Sequence, residues 1–285
     1  MKAFEHLHPA LQHHIVNSFG WRVLRPLQEQ SIEPLLSGQH AILLAPTAGG
    51  KTEAAIFPVL SRMLTENWTG LSVLYLCPIR ALLNNLQTRL SHYCNLVGRG
   101  CAVWHGDIGR TEKRHFIREV TDCLLTTPES MEVMLVSSQL DKRSLFKDLR
   151  VVVVDEIHSF ASDDRGWHLL ALLERLTKIA GRELQRVGLS ATIGNPGGLL
   201  HWLSGHCEGS GVVIEPGGTT TSDSDVQIDF VGSIDNAALV ISRLYRGEKR
   251  LVFTDSRSQA EQVSARLRRF GIRTFVSHSL LSAEE

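Results

Sequence analysis

"APTAGGKTEAA", residues 45–55, sets two glycines, a lysine and a threonine between the apolar run AILLA (41–45) and a segment of helical spacing. A strand that feeds a glycine-rich turn and then a helix aims several backbone N–H groups at one point. The helix N-terminus adds partial positive charge there, and together they hold phosphate oxygens. The expected donors are the backbone groups of Thr47, Ala48, Gly49 and Gly50. Lys51 is expected to reach the β and γ phosphates of ATP, and the Thr52 hydroxyl to ligate Mg²⁺. The usual pattern opens on glycine, whereas this one opens on Ala45.

An acid pair should complete such a site from the end of another buried strand. VVVVDEIH (151–158) supplies it, since four valines carry Asp155 and Glu156 to the strand's carboxyl end. That is where ligands of open α/β sheets bind. Asp155 is the candidate Mg²⁺ holder, and Glu156 the candidate group that orients or deprotonates an attacking water. Phosphoryl transfer needs mostly this positioning and charge neutralisation.

The rest of the chain supports a sheet that could carry both. SVLYL (72–76), CAVW (101–104), DCLLT (122–126), RVVVV (150–154) and QRVGLS (185–190) read as further buried strands. KTEAAIFPVLSRMLTE, RALLNNLQTRLSHYC, PESMEVMLVSS and GWHLLALLERLTKIA lie between them with helical periodicity. Unbroken apolar strands alternating with helices predict an α/β fold with a mostly parallel sheet covered on both faces. Residues 1–214 read as this lobe and EPGGTTTSDSD (215–225) as a linker. Residues 226–285 read as the beginning of a second α/β unit, with strands at VQIDF, RLVFT and RTFV, that stops short of a complete sheet.

Across 285 residues, 30 basic and 30 acidic side chains cancel, so any polyanion site must be a local patch. The five cysteines form no C-x-x-C pair, which argues against a zinc site or a disulfide framework. No stretch reaches the roughly 18 continuous apolar residues of a membrane span, and nothing resembles a signal peptide. A soluble, cytoplasmic protein is the expectation. The 13 histidines complete no recognised ligand spacing, Trp104, Trp167 and Trp202 read as core aromatics, and ARLRRFGIR (265–273) reads as a solvated basic helix face.

Taken in order, these segments resemble a superfamily 2 helicase motor of the DExH kind. APTAGGKT resembles motif I, PIRAL (78–82) motif Ia, TTPES (126–130) motif Ib, DEIH motif II and LSAT (189–192) motif III. LRPLQ (24–28) resembles the adenine-reading Q motif, and VFTDSR (252–257) motif IV. WHGDIGRTEKR (104–114) and DEIHSFASDDRGWHLLALLERL (155–176) are most similar to the large helicase-related (Lhr-type) branch, whose members are ATP-driven DNA translocases of 3′-to-5′ polarity.

The resemblance implies a RecA-like lobe that binds ATP and Mg²⁺, with single-stranded DNA or a tailed duplex as partner. It assigns Gln28 to the adenine edge, braced by Arg25. His158, Ser190 and Thr192 become the coupling residues between nucleotide and nucleic acid. Pro78, Arg80, Gly106, Asp107, Thr127, Pro128, Glu129, Ser256 and Arg257 become a track that grips phosphates and sugars rather than bases. Such a track serves RNA as well as DNA.

Two departures stand out. Ala48 replaces a glycine of the family loop. If that position needs a positive φ, alanine costs roughly 1 kcal/mol or more, unless Gly49 absorbs the turn. Motifs V and VI are absent, and motif VI supplies arginines worth about 10³–10⁵ in rate. The expectation is therefore a first motor lobe with part of a second, a fragment that binds ATP but is a poor motor alone. Two rivals remain: a P-loop ATPase driving something other than nucleic acid, and a non-catalytic ATP- or DNA-binding module.

Overall fold

The computed structural model describes residues 3–106, 108–109, 116, 121–161, 164–191, 193–205, 210–217, 227–244 and 246–277. Asp107, Thr192, most of the expected linker and the last eight residues lie outside the described residues. Contacts divide the chain into two units, Met1–Thr219 and Thr220–Glu285.

In chain order the first unit runs α1 (Pro9–His13), α2 (Pro26–Leu36), β1 (His40–Leu44), α3 (Lys51–Thr65), β2 (Val73–Leu76), α4 (Arg80–Leu96) and β3 (Cys101–Trp104). It continues with β4 (Cys123–Thr126), α5 (Pro128–Val136), α6 (Lys142–Phe146), β5 (Val151–Val154), α7 (Asp164–Ala180), β6 (Gln185–Ser190), α8 (Pro196–Ser204) and β7 (Gly211–Ile214). The strands form one parallel sheet in the order β3-β4-β2-β5-β6-β1-β7. Six are the strands read from the sequence. The seventh, β7, was not expected: its GVVI is short and flanked by Gly and Pro, and it pairs along the outer edge of β1.

Both faces of the sheet are buried. Leu43, Val73, Tyr75, Val151, Val153 and Leu189 pack on one side with α3 and α4. Ile42, Leu44, Leu74, Leu76, Val152 and Val154 pack on the other with α5, α7 and α8. A fully buried aliphatic side chain stabilises by about 1.5–3 kcal/mol, so the two apolar layers, rather than the short ladders, hold the strands together. This two-sided burial is why the central strand β5 is apolar at every position and its neighbour β2 departs only at Tyr75. Trp167 departs from its expected core role and is 71% exposed, because α7 buries Leu169, Leu172, Leu173 and Leu176 on the opposite side. Among the described residues, no helix is long and apolar enough to cross a membrane.

The second unit contains α9 (Ile234–Arg243) and α10 (Arg257–Arg269), packed through Ala238, Val263 and Leu267. The strands expected at VQIDF, RLVFT and RTFV do not form among the described residues. A strand exists only with a neighbour to take its N–H and C=O groups, and among the described residues no segment supplies one here. Ile228, Phe230, Leu251, Phe253 and Phe275 on those segments are exposed.

A buried polar contact anchors the strand that leads to the glycine-rich loop. His40, at the start of β1, accepts the backbone N–H of Arg186 on Nδ1 at 3.0 Å. The Arg186 side chain is fully buried and donates to Glu174 at 2.8 Å and to the carbonyl of Leu203 at 3.0 Å, joining β6 to α7 and α8. Burial lowers the His40 pKa below 6.5 and Arg186 lowers it further, against the opposing charge of Glu183. The folded state therefore favours neutral His40. Its contribution is present above pH 6.5 and is lost as pH falls through that value toward the lower folded pKa. Between about pH 7.5 and about pH 5.5 the wild type should lose more stability than His40→Asn, which keeps an acceptor but cannot gain a proton. Urea midpoints that fall in parallel for the two proteins would refute this.

Candidate nucleotide site

The loop after β1 is held open by its own backbone and by two side chains from the start of α2. Ala48 itself takes the left-handed conformation, with φ 63°, and Gly50 follows at φ 80°. The expectation that Gly49 would absorb the turn is thus corrected. Gly49 is required for a different reason, since a Cβ there would lie 2.6 Å from the Ala45 Cβ and 2.8 Å from the Pro46 carbonyl oxygen. The strain at Ala48 is tolerated because neighbours fix it. The Arg25 guanidinium donates to the Ala48 carbonyl. Gln28 accepts the Arg25 N–H on Oε1 at 3.0 Å and aims Nε2 at the Gly50 carbonyl, 3.5 Å away.

Gln28 is only 3% exposed and lines the cavity in front of the loop, so it braces the turn whatever else it reads. Lys51 donates from Nζ to the carbonyls of Ala45 at 2.8 Å and Pro46 at 3.3 Å, which keeps its charge at the mouth of the turn.

Asp155 and Glu156 emerge from β5 across the same cavity, whose volume is about 670 Å³. Asp155 accepts the Tyr75 hydroxyl on Oδ2 at 3.0 Å and the Glu156 N–H on Oδ1 at 2.9 Å. Thr52 lines the same cavity. Burial pushes the Asp155 carboxyl above its ordinary range, and neighbouring Glu156 adds to this, while Tyr75 pulls the other way. Glu156 stands at φ 45°, a left-handed conformation that costs a non-glycine residue about 1–3 kcal/mol and marks a position held by its surroundings. His158 meets Ser190 of β6 at 3.0 Å through Nδ1, and its Nε2 lies 3.5 Å from Glu156 Oε2. Two of the three expected coupling residues therefore touch, and the third, Thr192, lies outside the described residues.

The oxygen donors of Thr52 and Asp155 line one cavity and suit a hard cation, so these residues fit Mg²⁺. The remaining walls include residues that the sequence reading passed over. Trp21 and Val23 flank Arg25, while Asn85, Arg89 and Tyr93 come from one face of α4. Arg89 and Tyr93 both donate to the buried Glu53 carboxylate, the latter at 2.8 Å. Their four-residue spacing was a legible sign of a polar helix face.

A second group gathers at the ends of β2, β3 and β4. Thr127 caps α5, accepting the Ser130 N–H at 3.2 Å, with Pro128 and Glu129 in the first turn. Arg165, another residue the sequence reading passed over, donates to Glu129 at 2.9 Å and to the Pro78 carbonyl at 2.6 Å. Although burial raises the Glu129 pKa, its own backbone N–H and Arg165 hold the carboxyl below the usual range. Arg80 lies against Gly106, where an added Cβ would come within 3.1 Å of Nη2. Pro78, Arg80, Gly106, Thr127, Pro128 and Glu129 thus share one end of the sheet, while Asp107 lies outside the described residues. Ser256 and Arg257 belong to the second unit, where Ser256 caps α10 by accepting the Gln259 N–H at 3.2 Å.

Comparison with known proteins places this geometry. The DEAD/DEAH box helicase family matches residues 25–197. The Lhr helicase/probable uracil glycosylase of Mycolicibacterium smegmatis is 31% identical over 85% of this chain and 17% of its own length. ATP-dependent helicase Lhr-Core protein 2 of Thermococcus barophilus is 27% identical over 86% of this chain and 31% of its own length. The chain therefore spans from about a sixth to about a third of these curated relatives. The structure of Mycobacterium smegmatis helicase Lhr bound to ssDNA and AMP-PNP superposes with a TM-score of 0.80 at 27% identity, covering 100% of this chain and 40% of that one.

The loop geometry makes one stability prediction. Ala48→Gly should stabilise the nucleotide-free protein by about 1 kcal/mol by relieving the left-handed alanine, and Ala48→Val should destabilise it. Equal urea midpoints for wild type and Ala48→Gly would show that the loop carries no such strain.

Proposed function

The chain belongs to the DEAD/DEAH box helicase family, its sheet unit is the RecA-like lobe of that family, and from this premise we propose an ATP-driven translocase on nucleic acid. The reading rests on one observation. The glycine loop, Lys51, Thr52, Asp155 and Glu156 share a single cavity, and the His158–Ser190 contact leads from its acidic wall to β6.

Lys51 leaves its loop carbonyls to meet the β and γ phosphates, and the loop N–H groups take the oxygens between them. Thr52 and Asp155 hold Mg²⁺, which when bound neutralises charge developing on the transferred phosphoryl group. Glu156 orients the attacking water and receives its proton, and the strained turn holds that carboxylate at the strand end. His158, within reach of both Glu156 and Ser190, makes the position of the water-orienting group depend on the segment after β6.

Pro78, Arg80, Gly106 and Thr127–Glu129 form the nucleic-acid track, with Arg165 clamping motif Ia to motif Ib. Asp107, Ser256 and Arg257 are assigned to the same track by resemblance. DNA is the proposed partner because the Mycobacterium smegmatis structure holds single-stranded DNA, and 3′-to-5′ polarity follows from likeness to the Lhr-type branch.

Steady-state ATP hydrolysis with and without single-stranded DNA tests the proposal. Turnover should rise with DNA and fall by about 10²-fold or more in Glu156→Gln. RNA of matching sequence should stimulate less. Hydrolysis indifferent to nucleic acid would favour a P-loop ATPase coupled to another process.

A further inference from the structure

Tyr75 is the one polar side chain on β2, whose sequence is VLYL. It is fully buried and stands in register with Val153 of β5, on the sheet face that also carries Leu43 and Leu189. Packing alone asks for phenylalanine there, because a buried hydroxyl costs free energy unless it is hydrogen-bonded. The phenol spends its hydrogen-bonding capacity at the nucleotide site. Its hydroxyl donates to Asp155 Oδ2 at 3.0 Å. The other Asp155 oxygen accepts the Glu156 N–H at 2.9 Å, so both carboxylate oxygens have fixed partners.

We infer that Tyr75 is a positioning residue, which fixes the orientation of the Asp155 carboxylate and so presets the oxygen that, with the Thr52 hydroxyl, would hold Mg²⁺ beside the phosphates. The inference rests on the nucleotide reading above. Thr52 opens a helix that follows β1, and Asp155 ends β5, two strands separated by β6. The Tyr75 ring, rooted in β2 on the far side of β5, anchors the Asp155 side of that pair. Without the hydroxyl, the carboxylate keeps only its contact to Glu156 and gains a rotation it does not have in the wild type. Outer partners of metal ligands act in this way, by removing orientations that do not bind.

The test is the affinity of the chain for a fluorescent ATP analogue, measured over a series of Mg²⁺ concentrations and again in EDTA, for wild type and Tyr75→Phe. The Mg²⁺ needed for half-maximal binding should rise about 10- to 100-fold in the variant, while affinity in EDTA is unchanged. An unaltered Mg²⁺ dependence would overturn the positioning role and leave the nucleotide reading standing. A wild type that binds no nucleotide would instead overturn both.

A second measurement keeps the native side chain in case Tyr75→Phe does not fold. The chain has three tyrosines, so 3-fluorotyrosine labelling gives three ¹⁹F resonances, which Tyr93→Phe and Tyr245→Phe assign by elimination. The Tyr75 resonance should shift when Mg²⁺ is added to the nucleotide complex. A resonance that stays in place would overturn the inference.

Discussion

Parallelism governs this molecule. Each strand of the sheet except the last, β7, is followed by a connection that returns the chain to the same starting end, so every strand delivers its carboxyl end to one edge. Along that edge the order is Gly106 after β3, Thr127 after β4, Pro78 after β2, Asp155 after β5, Ser190 at β6 and Ala45 after β1. Neighbouring strands lie about 4.8 Å apart. The candidate phosphate chemistry therefore occupies one half of the edge and the candidate nucleic-acid track the other. They meet where β2 lies beside β5, and Tyr75 reaches Asp155 across that same boundary.

An edge built of loops would be mobile unless its members were tied together, and the ties here are polar side chains, buried at Gln28 and Tyr75 and half-buried at His158 and Arg165. Gln28 holds Gly50, Tyr75 holds Asp155, His158 holds Ser190, and Arg165 holds both Pro78 and Glu129. Each joins residues far apart in sequence. An apolar contact would pack as well but would not select an orientation. A buried donor or acceptor left unpaired is costly, so these contacts specify one arrangement of the edge. The same reasoning extends to the opposite end of the sheet, where His40 and Arg186 fix how β1 starts.

Legibility in the sequence followed burial. β5 could be read because VVVV is apolar at every position, which only a two-sided core requires. β7 escaped because four residues beside Gly and Pro carry too little pattern. In the second unit, VQIDF, RLVFT and RTFV have strand composition but no ladder among the described residues, since composition expresses a preference and pairing needs a partner. Ala48 could be flagged as costly from its type alone, yet only the backbone showed that it, and not Gly49, turns left-handed. Of the expected coupling residues, His158 and Ser190 were named by resemblance to a family, and their contact appeared only once β5 and β6 lay side by side.

By itself, the sequence determined the fold class, six of the seven strands, the glycine-rich loop and the acid pair. These are local properties: apolar periodicity, turn residues and short motifs, each complete within about ten residues. The tertiary structure decided which strand lies beside which, and hence that Tyr75 serves Asp155, that Arg165 joins Pro78 to Glu129, and that Trp21, Arg89 and Tyr93 wall the cavity. Those residues carry no motif. Their roles come from contacts between distant segments, and sheet order is set by packing over the whole core rather than by any stretch of chain.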